Sequence, residues 1–267
     1  MLKSTVLWII AIVLTLASIT YQRMTGPTHP AYGSVKIGGE KIKYSLTRSA
    51  TSTMDEEIKV KVPDTNITAQ IKFRRYKSYD EWTTADMKRE GEYLSYFIPK
   101  QPMAGKLAYK VILAEGEREV SLSGDEPILI RFKGHTPLPL LLAHILVIFS
   151  AMLFSTRAGL AALDRKSDPK VLAIWTTGLL FVGGFILGPL MQKFAFDAWW
   201  TGFPLGKDLT DSKTLFAMLA WVLVLIAGRG GRPIRRWVLA ASVLTLIVFL
   251  IPHSLLGSEL KYTDMTP

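Results

Sequence analysis

The sequence predicts a membrane protein in three parts: an N-terminal transmembrane anchor, an exported all-β domain of the immunoglobulin-like sandwich type, and a C-terminal four-helix transmembrane bundle. Three observations predict it. Hydrophobic residues make up 49% of the 267 and gather in five runs. Between the first and second runs, apolar and polar residues alternate with period two, as half-buried strands require. Basic residues collect in a few short segments beside the apolar runs.

The first run, Thr5–Ile19, follows a single Lys3. Its length and the lack of a clear A-x-A site favour an uncleaved anchor over a signal-like helix for residues 1–21, and either form exports the segment after it. The runs Pro137–Phe154, Val171–Met191 and Trp237–Ile251 approach the roughly 20 apolar residues that cross about 30 Å of hydrocarbon. Leu215–Ala227 is short, but Thr214 and Gly228 can extend it. These four runs predict a bundle over 135–253, followed by an exported tail, 254–267. Gly184 and Gly188, and Ala151 with Ser155, have the small-xxx-small spacing that lets helices approach closely.

Residues 22–32, "QRMTGPTHPAY", read as a Pro- and Gly-punctuated linker. In 33–134, "GSVKIGGEKIKYSL" predicts a hairpin turning at Gly38-Gly39, and "EEIKVKVPD", "NITAQIKFRRY", "EYLSYFIP", "KLAYKVILAEGEREVSLSG" and "EPILIRFKG" continue the alternation. Seven or eight strands fit an immunoglobulin-like sandwich. Residues 77–91, "KSYDEWTTADMKREG", break the pattern and read as a loop or short helix. The joint "HTPLP" is short, so the sandwich is expected close to the membrane.

Charge predicts orientation. Lys3, Arg157, Arg165, Lys166, Lys170, Arg229, Arg232, Arg235 and Arg236 are accompanied only by Asp164 and Asp168, whereas 22–134 holds 19 bases and 15 acids. The positive-inside rule puts the N-terminus and the basic loops in the cytoplasm, and residues 22–134 and the C-terminus in the periplasm. The net charge of +10 then reflects topology, and no nucleic acid is needed to explain it. With no cysteine present, disulfides, cysteine-ligated zinc, c-type haem, iron–sulfur clusters and cysteine lipidation are excluded. An exported domain without disulfides points to a bacterial inner membrane.

Few residues offer chemistry. His144 lies seven residues past Pro137, roughly 10 Å into the second run, where an ionisable group is a site hypothesis by default. Its candidate neighbours are His253, Asp208 and Asp211. This set could bind a divalent metal, or His144 and His253 could ligate a haem or contact a quinone. The plainer reading is a helix–helix hydrogen bond, and no cofactor is expected. His29 and His135 read as surface residues, and no G-x-S-x-G elbow supports hydrolase chemistry.

The stretch "AWWTGFPLGKDLTDSKT" (198–214) resembles a phosphate-binding loop only superficially. Three residues, not four, separate Gly202 from Gly206, and Asp208 follows Lys207 where a hydroxyl is required. Architecture explains more. Trp199 and Trp200 suit an interfacial aromatic belt, Gly202, Pro204 and Gly206 suit turns, and Thr210 or Asp211 can cap the next helix. Asp197, Asp208 and Asp211 are expected to pair with Arg74, Arg75 or Arg131.

The segments "YQRMTGPTHP", "QPMAGKLAYKV", "HILVIFSAMLFSTRAGL", "GPLMQKFAFDAWWTGFPLGKDLTDSKT" and "IPHSLLGSEL" resemble a group of uncharacterised bacterial multipass membrane proteins with an exported β-sandwich. The resemblance implies the layout and no catalytic residues. The expected function is that of a non-catalytic envelope protein. Its sandwich binds or helps assemble a partner protein, as a subunit of a larger membrane complex, and its helices contact membrane lipid. The alternative is a redox or metal-binding membrane protein with a site at the outer face of the bundle.

Overall fold

Alternation becomes strands and continuous apolar runs become helices over residues 4–252, 257 and 259–264, the part that the computed structural model describes. The chain forms two units. One comprises Pro27–His135 with the tail from Glu259, and the other comprises Met1–Gly26 with Thr136–Ser258.

Among the described residues the β unit has eleven strands: β1 Ala31–Ile37, β2 Glu40–Leu46, β3 Ser49–Thr51, β4 Glu56–Lys61, β5 Thr68–Arg75, β6 Thr83–Asp86, β7 Lys88–Glu90, β8 Tyr93–Ile98, β9 Lys106–Glu115, β10 Arg118–Ser121 and β11 Ile128–Lys133. The β1–β2 hairpin turns at Gly38-Gly39, both at positive φ, which only glycine adopts without strain. The largest sheet has the order β3-β11-β9-β5-β6, with β10 on β9. A second has the order β4-β8-β7. Every pair is antiparallel except β3 with β11. Inward residues of all these sheets, among them Ile37, Ile58, Ile71, Tyr109, Leu113 and Phe132, share one core.

One expectation changes here. The segment 77–91 contains β6 and β7 instead of a loop or helix throughout. Arg89 holds β7 in place by donating to the carbonyls of Val62, Asp64 and Ile67, a tertiary tie that no local pattern announces. Residues 259–264 of the tail also belong to this unit. Glu259 pairs with Lys77 and, at 2.8 Å, with Lys106, and the Leu260 N–H donates to the Ala104 carbonyl at 3.1 Å. Tyr262 donates its hydroxyl to Gln101 at 2.8 Å and lies 5.0 Å beneath the Arg75 guanidinium. Burial pushes the Tyr262 phenol up to about 12, so it stays a donor.

The helical unit contains α1 Ser4–Thr25, α2 Leu138–Leu163, α3 Lys170–Phe181, a π-helical turn Val182–Leu187, α4 Gly188–Phe196, α5 Leu209–Ala227 and α6 Arg235–Leu250. Among the described residues four stretches are long and apolar enough to cross a membrane: α1, α2, Lys170–Phe196 as one continuous rod, and α5. The fourth apolar run therefore makes a longer helix than expected. The fifth makes a shorter one of 16 residues, about 24 Å at 1.5 Å per residue. α1 is helical to Thr25, so the expected linker starts later than residue 22.

α1 packs within the helical unit. Leu7 and Ala11 are buried, and Trp8 meets Phe154 of α2 edge-on at 5.6 Å. Close packing uses some of the expected small residues. Gly184 abuts Thr214 of α5, and the Ser155 carbonyl accepts from Ser242 of α6 at 2.8 Å. Around Gly188 a side chain would meet only its own helix, at the Gly183 carbonyl. At one end of the unit Arg235 gathers carbonyls at the end of α2 and in the connection that follows it, donating to Ala161, Asp164 and Ser167 among others. A cation at a helix C-terminus suits the helix dipole.

Candidate functional site

Loop 197–208 joins α4 to α5 and folds around Asp211. One carboxylate oxygen of Asp211 accepts the backbone N–H groups of Thr201 at 2.8 Å and Gly202 at 3.1 Å, and the Gln192 amide at 3.0 Å. Gln192 also donates to the Thr201 hydroxyl. Asp208 caps α5, accepting from the Thr210 N–H at 2.7 Å, and its side chain is only 6% exposed. The Thr201 hydroxyl lies 3.3 Å from both carboxylates. Gly202 must be glycine, because a Cβ there would collide with Asp211 and with the Ser212 amide. The arrangement ties a loop to a helix start with charge-assisted hydrogen bonds.

The aromatics of this loop divide. Trp200 stacks on Phe185 with centroids 5.6 Å apart and donates its indole N–H to the Phe203 carbonyl at 3.1 Å. Trp199 is 56% exposed, and Pro204 is also exposed. Asp197 pairs with Lys193 one turn back, while Arg75 takes Asp80 at 2.6 Å and Arg74 lies over the Trp82 ring.

His144 is half-buried on α2 and faces the backbone of Gly183 in the π turn. Its Nδ1 is enclosed, without a hydrogen-bond partner among the described residues. The Gly188 N–H reaches back five residues to the Gly183 carbonyl, which widens the helix by one residue, and such turns recur at functional sites.

Two further polar groups escape sequence reasoning. Lys213, 5% exposed, donates its ammonium to the Ile251 carbonyl at 2.7 Å, and Gln22 donates to the Phe249 carbonyl at 2.8 Å. Both satisfy carbonyls at the C-terminal end of α6. They also line a cavity of about 50 Å³ whose other walls include Ile148, Thr214 and Val248. Lys213 was legible only as a lysine at the edge of an apolar run, and Gln22 only as a polar residue after one.

The structure thus brings Asp208 and Asp211 together with Gln192 and Thr201, and places His144 against the π turn. His253 lies outside the described residues. Among the described residues no group of three or more His, Asp or Glu side chains is arranged to hold a metal. No model of a known protein family matches the chain, and no curated protein matches it in sequence.

Proposed function

We propose that the chain is a non-catalytic membrane protein of the bacterial cell envelope, whose exported β unit binds or helps assemble a partner protein while the helical unit anchors it. The N-terminus and the basic segments around 164–170 and 229–236 face the cytoplasm in this reading, by the positive-inside rule. The β unit is read as an immunoglobulin-like sandwich, which its sheets around a single core support.

One observation carries the reading: the β5–β6 loop, residues 76–82. Tyr79 there is 91% exposed. Beside it Trp82 carries Arg74 at 4.7 Å and Tyr262 carries Arg75 at 5.0 Å. Tyr, Trp and Arg are the residue types that dominate binding hot spots, and folding gains almost nothing from a tyrosine left in solvent. A photo-crosslinking residue at position 79 is expected to give a discrete adduct in intact cells, and the same residue at exposed Lys41 none. A folded, exported protein that yields no adduct from position 79 overturns the reading. Because the chain has no cysteine, Tyr79→Cys and Arg165→Cys also report orientation. An impermeant thiol reagent should label the first alone.

A second reading, a haem, quinone or metal site, has one observation in its favour: the enclosed Nδ1 of His144, which has no partner among the described residues. A Soret band or stoichiometric metal in the purified protein, lost in His144→Ala, would establish it. A colourless, metal-free protein from which no quinone is extracted would remove it.

A further inference from the structure

Arg157 lies in α2, about 9 Å before the last helical residue, Leu163, at 1.5 Å per residue. It is 5% exposed. Its guanidinium lies 5.5 Å from the centre of the Trp8 ring of α1, and one terminal nitrogen donates to the Ser4 hydroxyl at 3.2 Å. The other two nitrogens, Nε and Nη1, are enclosed and have no acceptor among the described residues. A buried charge with two unpaired donors is costly wherever it stands, and more so in a membrane-spanning helix.

Among the described residues no acid answers it. Asp164 is the carboxylate whose field reaches Arg157, but it already accepts from the Ser167 hydroxyl at 2.7 Å and from the Lys166 N–H. The surroundings add positive charge. Arg165, Lys166 and Lys170 follow on the chain, and Arg235, clamped on the carbonyls that end α2, brings its own segment alongside. None of these bases forms an ion pair among the described residues.

We propose that Arg157, with Ser4 and Trp8, binds a phosphate group, supplied by the headgroup of an anionic phospholipid at this end of the helices. The guanidinium fork matches phosphate oxygens in pairs, the serine hydroxyl offers a further donor, and the tryptophan ring shields one face as it does at the headgroup level. A position between one and two turns inside the end of a spanning helix is the depth of that headgroup. The inference rests on the helices being embedded in a bilayer and is independent of any partner of the β unit.

The test compares the full chain with Arg157→Gln and Arg157→Lys in mild detergent. Native mass spectrometry follows retention of added phosphatidylglycerol against phosphatidylcholine, and calorimetry follows inorganic phosphate. Wild type should retain phosphatidylglycerol, and Arg157→Gln should lose on the order of tenfold in affinity, the worth of a charge-assisted hydrogen bond. Arg157→Lys, with charge but no fork, should fall between them. Binding of phosphatidylglycerol alone assigns the headgroup as source. Binding of inorganic phosphate as well supports the same site with free anion as a second source. Equal retention by wild type and variants overturns the proposal. Should Arg157→Gln fail to fold, Ser4→Ala and Arg157→Lys carry the comparison, and equality there overturns it too. A chain absent from the membrane fraction sinks the membrane reading together with this site, so the two failures are distinguishable.

Discussion

Asp211 and Asp197 flank one loop and show how unequal two carboxylates can be. Asp211 is the acceptor for two backbone amides and the Gln192 side chain, whereas Asp197 holds an exposed pair with Lys193, its side chain 63% accessible. Asp211→Ala should therefore lower stability by about 2–4 kcal/mol, the cost of orphaning enclosed donors. Asp197→Ala should cost under about 0.5 kcal/mol, as exposed pairs do. Thermal melting in detergent checks both. Glu259 makes a prediction in pH. Burial raises its carboxyl, but hydrogen bonds and charge from Lys106 and Lys77 outweigh that and hold it below the ordinary glutamate value. Its contribution is whole above that ordinary value and is lost as pH falls through the lower folded one. Amide exchange of residues 259–262 should accelerate across that acid window, and Glu259→Gln should abolish the acid step. At this scale sequence reasoning reached the capping of α5 but named Thr210 or Asp211 where Asp208 does it. It missed Lys213, Gln22 and Arg157, because a polar residue in or beside an apolar run says nothing about which carbonyl or ring it will meet.

Elements were easier to read where their cause is local. The Gly38-Gly39 hairpin, the alternating strands and the apolar helices follow from turn chemistry and periodicity. β6 and β7 do not, since their pairing with β5 and β8 decides a segment whose own pattern is mixed. The small-residue pair on the third span was half informative. A Cβ on Gly184 would lie 2.5 Å from the Thr214 methyl, so Gly184→Ala should cost about 1–3 kcal/mol by overpacking. Adding Thr214→Ser, which deletes that methyl and keeps the hydroxyl, should recover most of the loss. A double-mutant cycle showing no coupling would contradict this contact. The π turn explains why spacing alone misleads here. One extra residue rotates everything after it by about 100° relative to a regular helix, so Gly188 leaves the α5 face and Gln192 arrives at Asp211.

For the whole molecule, composition foretold two kinds of structure in one chain, but not how the segments are shared between them. The chain crosses between its units after Gly26, after His135 and after Ser258, and only the first two crossings carry a signal, a Pro/Gly stretch and the change from alternation to a continuous apolar run. The third depends on Glu259 and Tyr262 finding Lys106, Lys77, Gln101 and Arg75, contacts distant in sequence. This arrangement bears on how the protein is made. A ribosome finishes residues 27–135 long before it reaches Glu259, and α2 to α6 must all be synthesised in between. The β unit therefore waits, with Lys77 and Lys106 lacking Glu259, until α6 has emerged. Its completion is a late event, which makes a finished β unit a record that α2 to α6 have all been synthesised.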